Sequence, residues 1–282
     1  MVIIANQNGQ LCNRLFFFSY FIANAIEHEY KVVNLCFGKY LPFFQTTTDN
    51  SFFGLPVSVR ITESRFLDRL ILKGLNHTVT ARWFPGIDVL RNAQSEYYDL
   101  ETPAYLQLTR RPLLLIKGWL FRDEKNLKKY RSELRKIFEP VASYSAEIQK
   151  IFSRLRADFD VIIGIHIRRG DYDEWEGGKY YYDWQVYYGK MREMAEVIQR
   201  GGQTCGFFIA SNEMVDELLF SGLNAHIAQR HMIVDLYGLA ECDYIIGPPS
   251  TFSYWAAFYG QKPILELKDP QTTVTKEAFV YF

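Results

Sequence analysis

A chain of 282 residues with 48% hydrophobic and 16% aromatic content is long enough for two domains with real cores and too apolar for a disordered protein. Lys plus Arg and Asp plus Glu balance at 32 each, which excludes binding to nucleic acid by global charge, so any anion site must be local. Cys12, Cys36, Cys205 and Cys242 stand far apart without CxxC spacing and read as reduced, buried thiols rather than zinc ligands or a disulfide framework. With no signal peptide and no long apolar run, the expectation is a soluble, cytoplasmic protein.

Val2 to Ala5 reads as a short strand, and the polar loop from Asn6 to Asn13 leads into a helical pattern at Leu11, Leu15, Phe18, Ile22 and Ile26. Lys31 to Phe37 supplies the next strand, so the chain opens as βαβ. Between Tyr40 and Pro103 the pattern is poor, and irregular structure with short helices is expected. Leu113 to Trp119 reads as another buried strand. From Arg110 to Lys136, ten basic residues face three acids, which predicts a basic amphipathic helix with either a solvated face or a weak membrane-surface contact.

Glu139-Pro140 marks a boundary between domains 1–140 and 141–282, because proline ends the preceding helix. A helix then leads to the apolar, β-branched run Val161 to Ile165. Beyond it the pattern alternates: helix 182–200, strand 206–210, helix 213–220, strand 225–228, helix 234–241, strand 244–247, helix 252–259 and strand 263–267. That alternation predicts a doubly wound parallel sheet.

The run His166-Ile167-Arg168-Arg169-Gly170-Asp171-Tyr172 puts two guanidinium groups at the carboxyl end of a buried strand, the edge where open α/β sheets bind ligands. Paired arginines match phosphate oxygens, and structural salt bridges are the competing reading. Ser250 and Thr251 precede an apolar helix whose N-terminus suits phosphate, and Ser250 is equally good as a plain N-cap. Asp171-Tyr172-Asp173 also spells DxD, a metal-binding pattern that arises often by chance.

HIRRGDY resembles the HxRRGDY signature of the GDP-fucose-dependent α1,2-fucosyltransferases and, more distantly, the HxRR motif of α1,6- and protein O-fucosyltransferases. Gly9 to Phe16 resembles that family's GGxGNQxF loop, departing from it at Gln10, Cys12 and Arg14. Asp235 to Asp243 with Ser250 to Trp255 resembles its D-x5-7-CD…SSFSWW segment. The resemblance implies a GT-B architecture, two Rossmann-like domains with a cleft between them, the first binding a glycan acceptor and the second the nucleotide sugar. It implies an inverting transfer of fucose from GDP-fucose to a glycan hydroxyl with no cofactor and no metal. Another nucleotide sugar on the same fold, or a silent nucleotide- or glycan-binding protein, is the alternative.

By that likeness Gly9, Asn13, His166, Arg168, Arg169, Asp235, Ser250, Thr251 and Phe252 bind the nucleotide sugar. Arg168 faces the β-phosphate, and Arg169 is either a second phosphate ligand or structural. Asp171, Asp173 and Glu174 are the nearest carboxylates to deprotonate the acceptor. His28, His77 and Trp83 are acceptor-contact candidates whose plain alternative is a structural or surface role.

Overall fold

The computed structural model describes residues 1–6, 9–78, 86–92, 96–228 and 231–282, with backbone only at 76–78. The chain divides into two compact units, Met1–Val141 and Ala142–Phe282.

The first unit is built on strands β1 (Val2–Ile4), β2 (Val32–Asn34), β3 (Val57–Ser58), β4 (Ile87–Arg91) and β6 (Leu113–Lys117), in the order β3-β2-β1-β6-β4 and parallel throughout. A separate two-stranded ladder joins β5 (Tyr98–Asp99) to β7 (Phe121–Arg122). Its helices are α1 (Leu11–Glu27), α2 (Gln45–Asp49), α3 (Arg65–Thr78), α4 (Pro103–Thr109), α5 (Glu124–Lys129) and α6 (Arg131–Ile137). Aromatic residues fill the core beside α1: Phe18 packs on Phe37 and Phe138, and Phe21 on Phe121.

The buried Asn24 donates to Asp123 Oδ2 at 2.8 Å and to Glu101 Oε1 at 3.1 Å, and Asn126 donates to the same two carboxylates at 2.8 Å each. Asp123 also caps α5. This network satisfies the amide N–H donors of Asn24 and Asn126, which the aromatic core would otherwise leave stranded. His28 belongs to its rim, with Nε2 2.6 Å from Glu101 Oε1.

Two expectations need correction here. The region 40–103 holds more regular structure than its sequence suggests, including β4 and the fourteen-residue α3. β4 escapes notice because Asp88 and Arg91 interrupt its apolar pattern and none of its residues is fully buried. The basic stretch 110–136 is not one helix, because β6, β7 and the cap at Asp123 divide it, and Lys125 and Lys129 pair with Glu101 and Glu27.

The second unit carries α7 (Ala142–Asp158), β8 (Val161–Ile167), α8 (Trp184–Arg200), β9 (Cys205–Ser211), β10 (Ala225–Ala228), α9 (Met232–Glu241), β11 (Tyr244–Gly247), α10 (Thr251–Gly260) and β12 (Ile264–Glu266). The sheet order is β10-β9-β8-β11-β12, again all parallel. Strand order reverses at β8, so the carboxyl ends of β8 and β11 flank the switch point. Every residue of β8 is buried, as expected for a central strand covered on both faces. The helix expected over 213–220 is instead a loop ending in a single 3₁₀ turn, Glu217–Phe220, capped by Asp216.

At the amino-terminal edge of this sheet Asp243 anchors β8. It forms a fork with Arg156 at 2.8 and 2.9 Å and accepts from Ile162 N at 2.8 Å. All four cysteines are buried, and none is joined in a disulfide.

α9 sits close on the sheet because two glycines permit it. A Cβ on Gly238 would lie 2.3 Å from the Phe208 ring, and one on Gly164 would lie 2.9 Å from Leu239. Gly189, inside α8, has open space around it. Gly238→Ala should therefore lower stability by about 1–3 kcal/mol through overpacking. Gly189→Ala should raise it by about 0.5–1 kcal/mol through helix propensity. Urea unfolding midpoints of the two variants, moving in opposite directions, check both.

Candidate active site at the end of the central strand

The motif leaves β8 and turns at once, and the turn depends on Gly170. Its φ is +53°, and a Cβ there would lie 2.7 Å from Asn212 Nδ2. Asn212 accepts from Arg169 N at 2.8 Å, and Glu213 accepts from Gly170 N at 2.8 Å. These two residues follow β9, the neighbour of β8, so parallel pairing in register delivers them to the motif. They were not singled out from sequence. The signal for them was the polar triplet Ser211-Asn212-Glu213 breaking off an apolar strand beside the motif.

The two arginines are used differently. Arg169 Nε donates to Glu213 Oε2 at 3.0 Å, Nη1 to Tyr182 O at 2.6 Å and Nη2 to Tyr181 Oη at 2.6 Å. Its guanidinium also lies over the rings of Tyr181 and Trp184, at 4.2 and 4.9 Å. Every guanidinium nitrogen of Arg169 is thus engaged inside the unit. Arg168 makes one ion pair, Nη2 to Asp171 Oδ2 at 2.7 Å, and lies 5.5 Å over the Tyr172 ring. Its Nε is buried without a hydrogen-bond partner. A charged donor left so costs about 1–3 kcal/mol or more unless a water or a bound anion completes it.

Across the switch point, the loop after β11 is stitched to the motif. Tyr172 Oη donates to Pro249 O at 2.6 Å. His166 Nδ1 lies 3.2 Å from Ser253 Oγ, and the imidazole stacks on Phe252 at 5.0 Å. Burial, aided by the Arg168 charge, pushes the His166 pKa down to about 3, so the ring is neutral near pH 7. Gly247 permits the close approach of the strands, since a Cβ there would meet His166 Cβ at 2.9 Å.

Ser250 caps α10, its Oγ accepting from Phe252 N at 3.2 Å, with Thr251 as the first helical residue. Tyr254 N is taken by Ser250 O. Thr251 N and Ser253 N belong to the first turn, where a helix offers N–H groups and the positive end of its dipole to an anion. Ser250 is thus an N-cap, and it stands next to the donors that a phosphate would use.

Asp235 is buried in the first turn of α9 but does not cap it. That role falls to His231, whose Nδ1 accepts from Ile233 N at 3.3 Å and whose ring stacks on Tyr144 at 4.7 Å. Asp173 and Glu174 are exposed just beyond the turn, and Asp171 is the carboxylate paired with Arg168.

In the first unit, Gly9 has φ +62° and sits against the Asn13 side chain, which a Cβ would meet at 2.5 Å. Arg14 donates from Nε to Gly9 O at 3.1 Å and from Nη1 to Cys36 O at 3.2 Å, bracing the loop where the resembled family carries Gln. Trp83 and the side chain of His77 lie outside the described residues.

No protein-family profile matches the chain, and no curated protein matches it in sequence. Solved structures do. Arabidopsis thaliana FUT1, as a mutant in complex with GDP, superposes with a TM-score of 0.59 at 14% identity over 99% of this chain and 73% of its own. The fucosyltransferase NodZ from Bradyrhizobium gives 0.53 at 14% identity, with 96% of each chain covered. POFUT1 in complex with GDP-fucose gives 0.53 at 13% identity, with 92% of this chain and 93% of its own covered. Together with the two parallel sheets these likenesses show the fold, the GT-B class built from two Rossmann-like halves.

Proposed function

We propose that the chain is an inverting, metal-independent glycosyltransferase that moves fucose from GDP-fucose to a hydroxyl of a glycan acceptor and releases GDP. The observation that carries this reading is Arg168: a strand-end guanidinium at the switch point, held by a structural partner, with a buried Nε that has no acceptor of its own. Structures of the same fold in complex with GDP and GDP-fucose support the choice of donor.

In this reading the bond between the sugar's anomeric carbon and the β-phosphate oxygen breaks, and its electron pair stays on the leaving diphosphate. Arg168 neutralises that charge, helped by Thr251 N and Ser253 N at the start of α10. His166, neutral and stacked on Phe252, shapes the wall of the site without adding charge. Asp235 is assigned to the nucleoside, and Gly9 and Asn13 to the nucleotide sugar, on the strength of their motif likeness. The acceptor oxygen attacks the opposite face of the anomeric carbon and gives its proton to a carboxylate among Asp171, Asp173 and Glu174.

Arg168→Ala should lose about a hundred- to a thousandfold in GDP-fucose turnover, the usual effect of removing a group that stabilises transition-state charge. Arg168→Lys should recover little, since an ammonium restores charge but not the fork. Donor-dependent GDP release, with circular dichroism as the folding control, checks this. A folded Arg168→Ala protein with wild-type turnover would leave the motif to its salt bridges. Release of nucleotide only from a UDP-sugar would move the activity to another donor.

A second expectation concerns the base. One of Asp171→Asn, Asp173→Asn and Glu174→Gln should depress turnover while keeping GDP affinity near wild type, and normal rates in all three would place the base elsewhere.

Because a guanidinium and a helix N-terminus supply the positive charge, turnover should survive EDTA. Loss on chelation, restored by Mg²⁺ or Mn²⁺, would favour a metal held at Asp171 and Asp173 instead.

A further inference from the structure

α3 rests on one face of the first sheet through Leu72 and Leu75, which pack against the cluster of Ile3, Ala5, Val33 and Leu115. Its one acid, Asp68, is turned inward. Asp68 Oδ1 accepts from Ile61 N at 3.2 Å, Thr62 N at 2.9 Å and Thr62 Oγ1 at 3.1 Å. That much describes an ordinary surface helix with its inner face satisfied.

The outer face is not ordinary. Phe66, Leu67 and Leu70 are 67%, 47% and 49% exposed, where a surface helix places polar residues. Arg65, Arg69 and Lys73, also exposed, are spaced four apart and so form a single stripe along the helix. One residue is a rotation of about 100°, so Phe66 and Leu70 form the adjoining stripe. The outward surface of α3 is thus an apolar band edged by three cations, with no carboxylate from the helix itself.

We propose that this face of α3 lies on an anionic lipid surface, with Phe66, Leu67 and Leu70 entering the headgroup boundary and Arg65, Arg69 and Lys73 meeting lipid phosphates and carboxylates. Apolar side chains beside a basic stripe are what an in-plane interfacial helix requires. Charge decides between the candidate occupants. A second copy docked on the same face would set three cations against three cations, whereas an anionic bilayer neutralises them. The contact is peripheral, because no helix among the described residues is long and apolar enough to cross a membrane. It is independent of the proposed transfer reaction.

The test is co-sedimentation of the full chain with phosphatidylserine–phosphatidylcholine vesicles and with pure phosphatidylcholine vesicles. Binding should require phosphatidylserine and weaken with added salt. Each cation removed should cost roughly fivefold in partitioning, so Arg69→Ser with Lys73→Ser should cost on the order of twenty- to thirtyfold. Phe66→Ser with Leu70→Ser should also release the protein, while GDP binding and circular dichroism stay unchanged in both double variants. Equal binding of wild type and variants, or no binding to either vesicle, overturns the proposal. So does a wild-type dimer in sedimentation equilibrium that Phe66→Ser with Leu70→Ser converts to monomer, since the face then belongs to a second copy.

Discussion

Arg169 commits all three of its guanidinium nitrogens to Glu213, Tyr182 and Tyr181, and that commitment fixes the geometry on which the site depends. The loop leaving β8 has to turn within two residues of the strand. It does so because Gly170 takes a left-handed conformation and because Asn212 and Glu213 hold the flanking N–H groups. With its neighbour locked in this way, Arg168 is carried on a rigid support, under a quarter exposed and with a buried donor still to be satisfied. Preorganised charge of this kind stabilises a leaving group without having to reorganise at the moment of reaction.

The second side of the site follows from topology. β8 and β11 are neighbours at the switch point, and Gly247 lets them approach closely enough for His166 to pack on Phe252 and Ser253 at the start of α10. The N-terminal end of α10 and the motif that carries the arginine therefore belong to one packed assembly. Burial keeps His166 uncharged, so the cationic character of this edge comes from Arg168 and the helix dipole, while the Arg169 charge is answered by Glu213.

Much of this was legible in the sequence, for physical reasons that can be named. β8, β9 and β11 are short apolar runs bounded by polar residues, so their periodicity identifies them, and the alternation with helices dictates a parallel sheet. The arginine pair could be placed at a strand end because it follows such a run without a gap. The division of labour within the pair was not legible, because it depends on Asn212 and Glu213, more than forty residues away and delivered by strand register. The helix expected over 213–220 failed for the same reason: Glu213 is drawn to Arg169 and Gly170, and the chain forms a turn only after Asp216 caps it. His231 caps α9 because an imidazole can accept an N–H as a carboxylate does. In the first unit β4 was hidden by its mixed composition, and the basic run 110–136 misled because its charges fall on several elements rather than one helix.

The central claim is that Arg168, not Arg169, awaits the diphosphate. The most direct measurement is a crystal structure of the protein with GDP bound. The account predicts a β-phosphate oxygen about 2.7–2.9 Å from Arg168 Nε or Nη, with the first turn of α10 facing the same phosphate and all of Arg169's present partners retained. A diphosphate bound to Arg169 with Glu213 displaced, or bound away from both arginines while Arg168 stays paired only with Asp171, would contradict it.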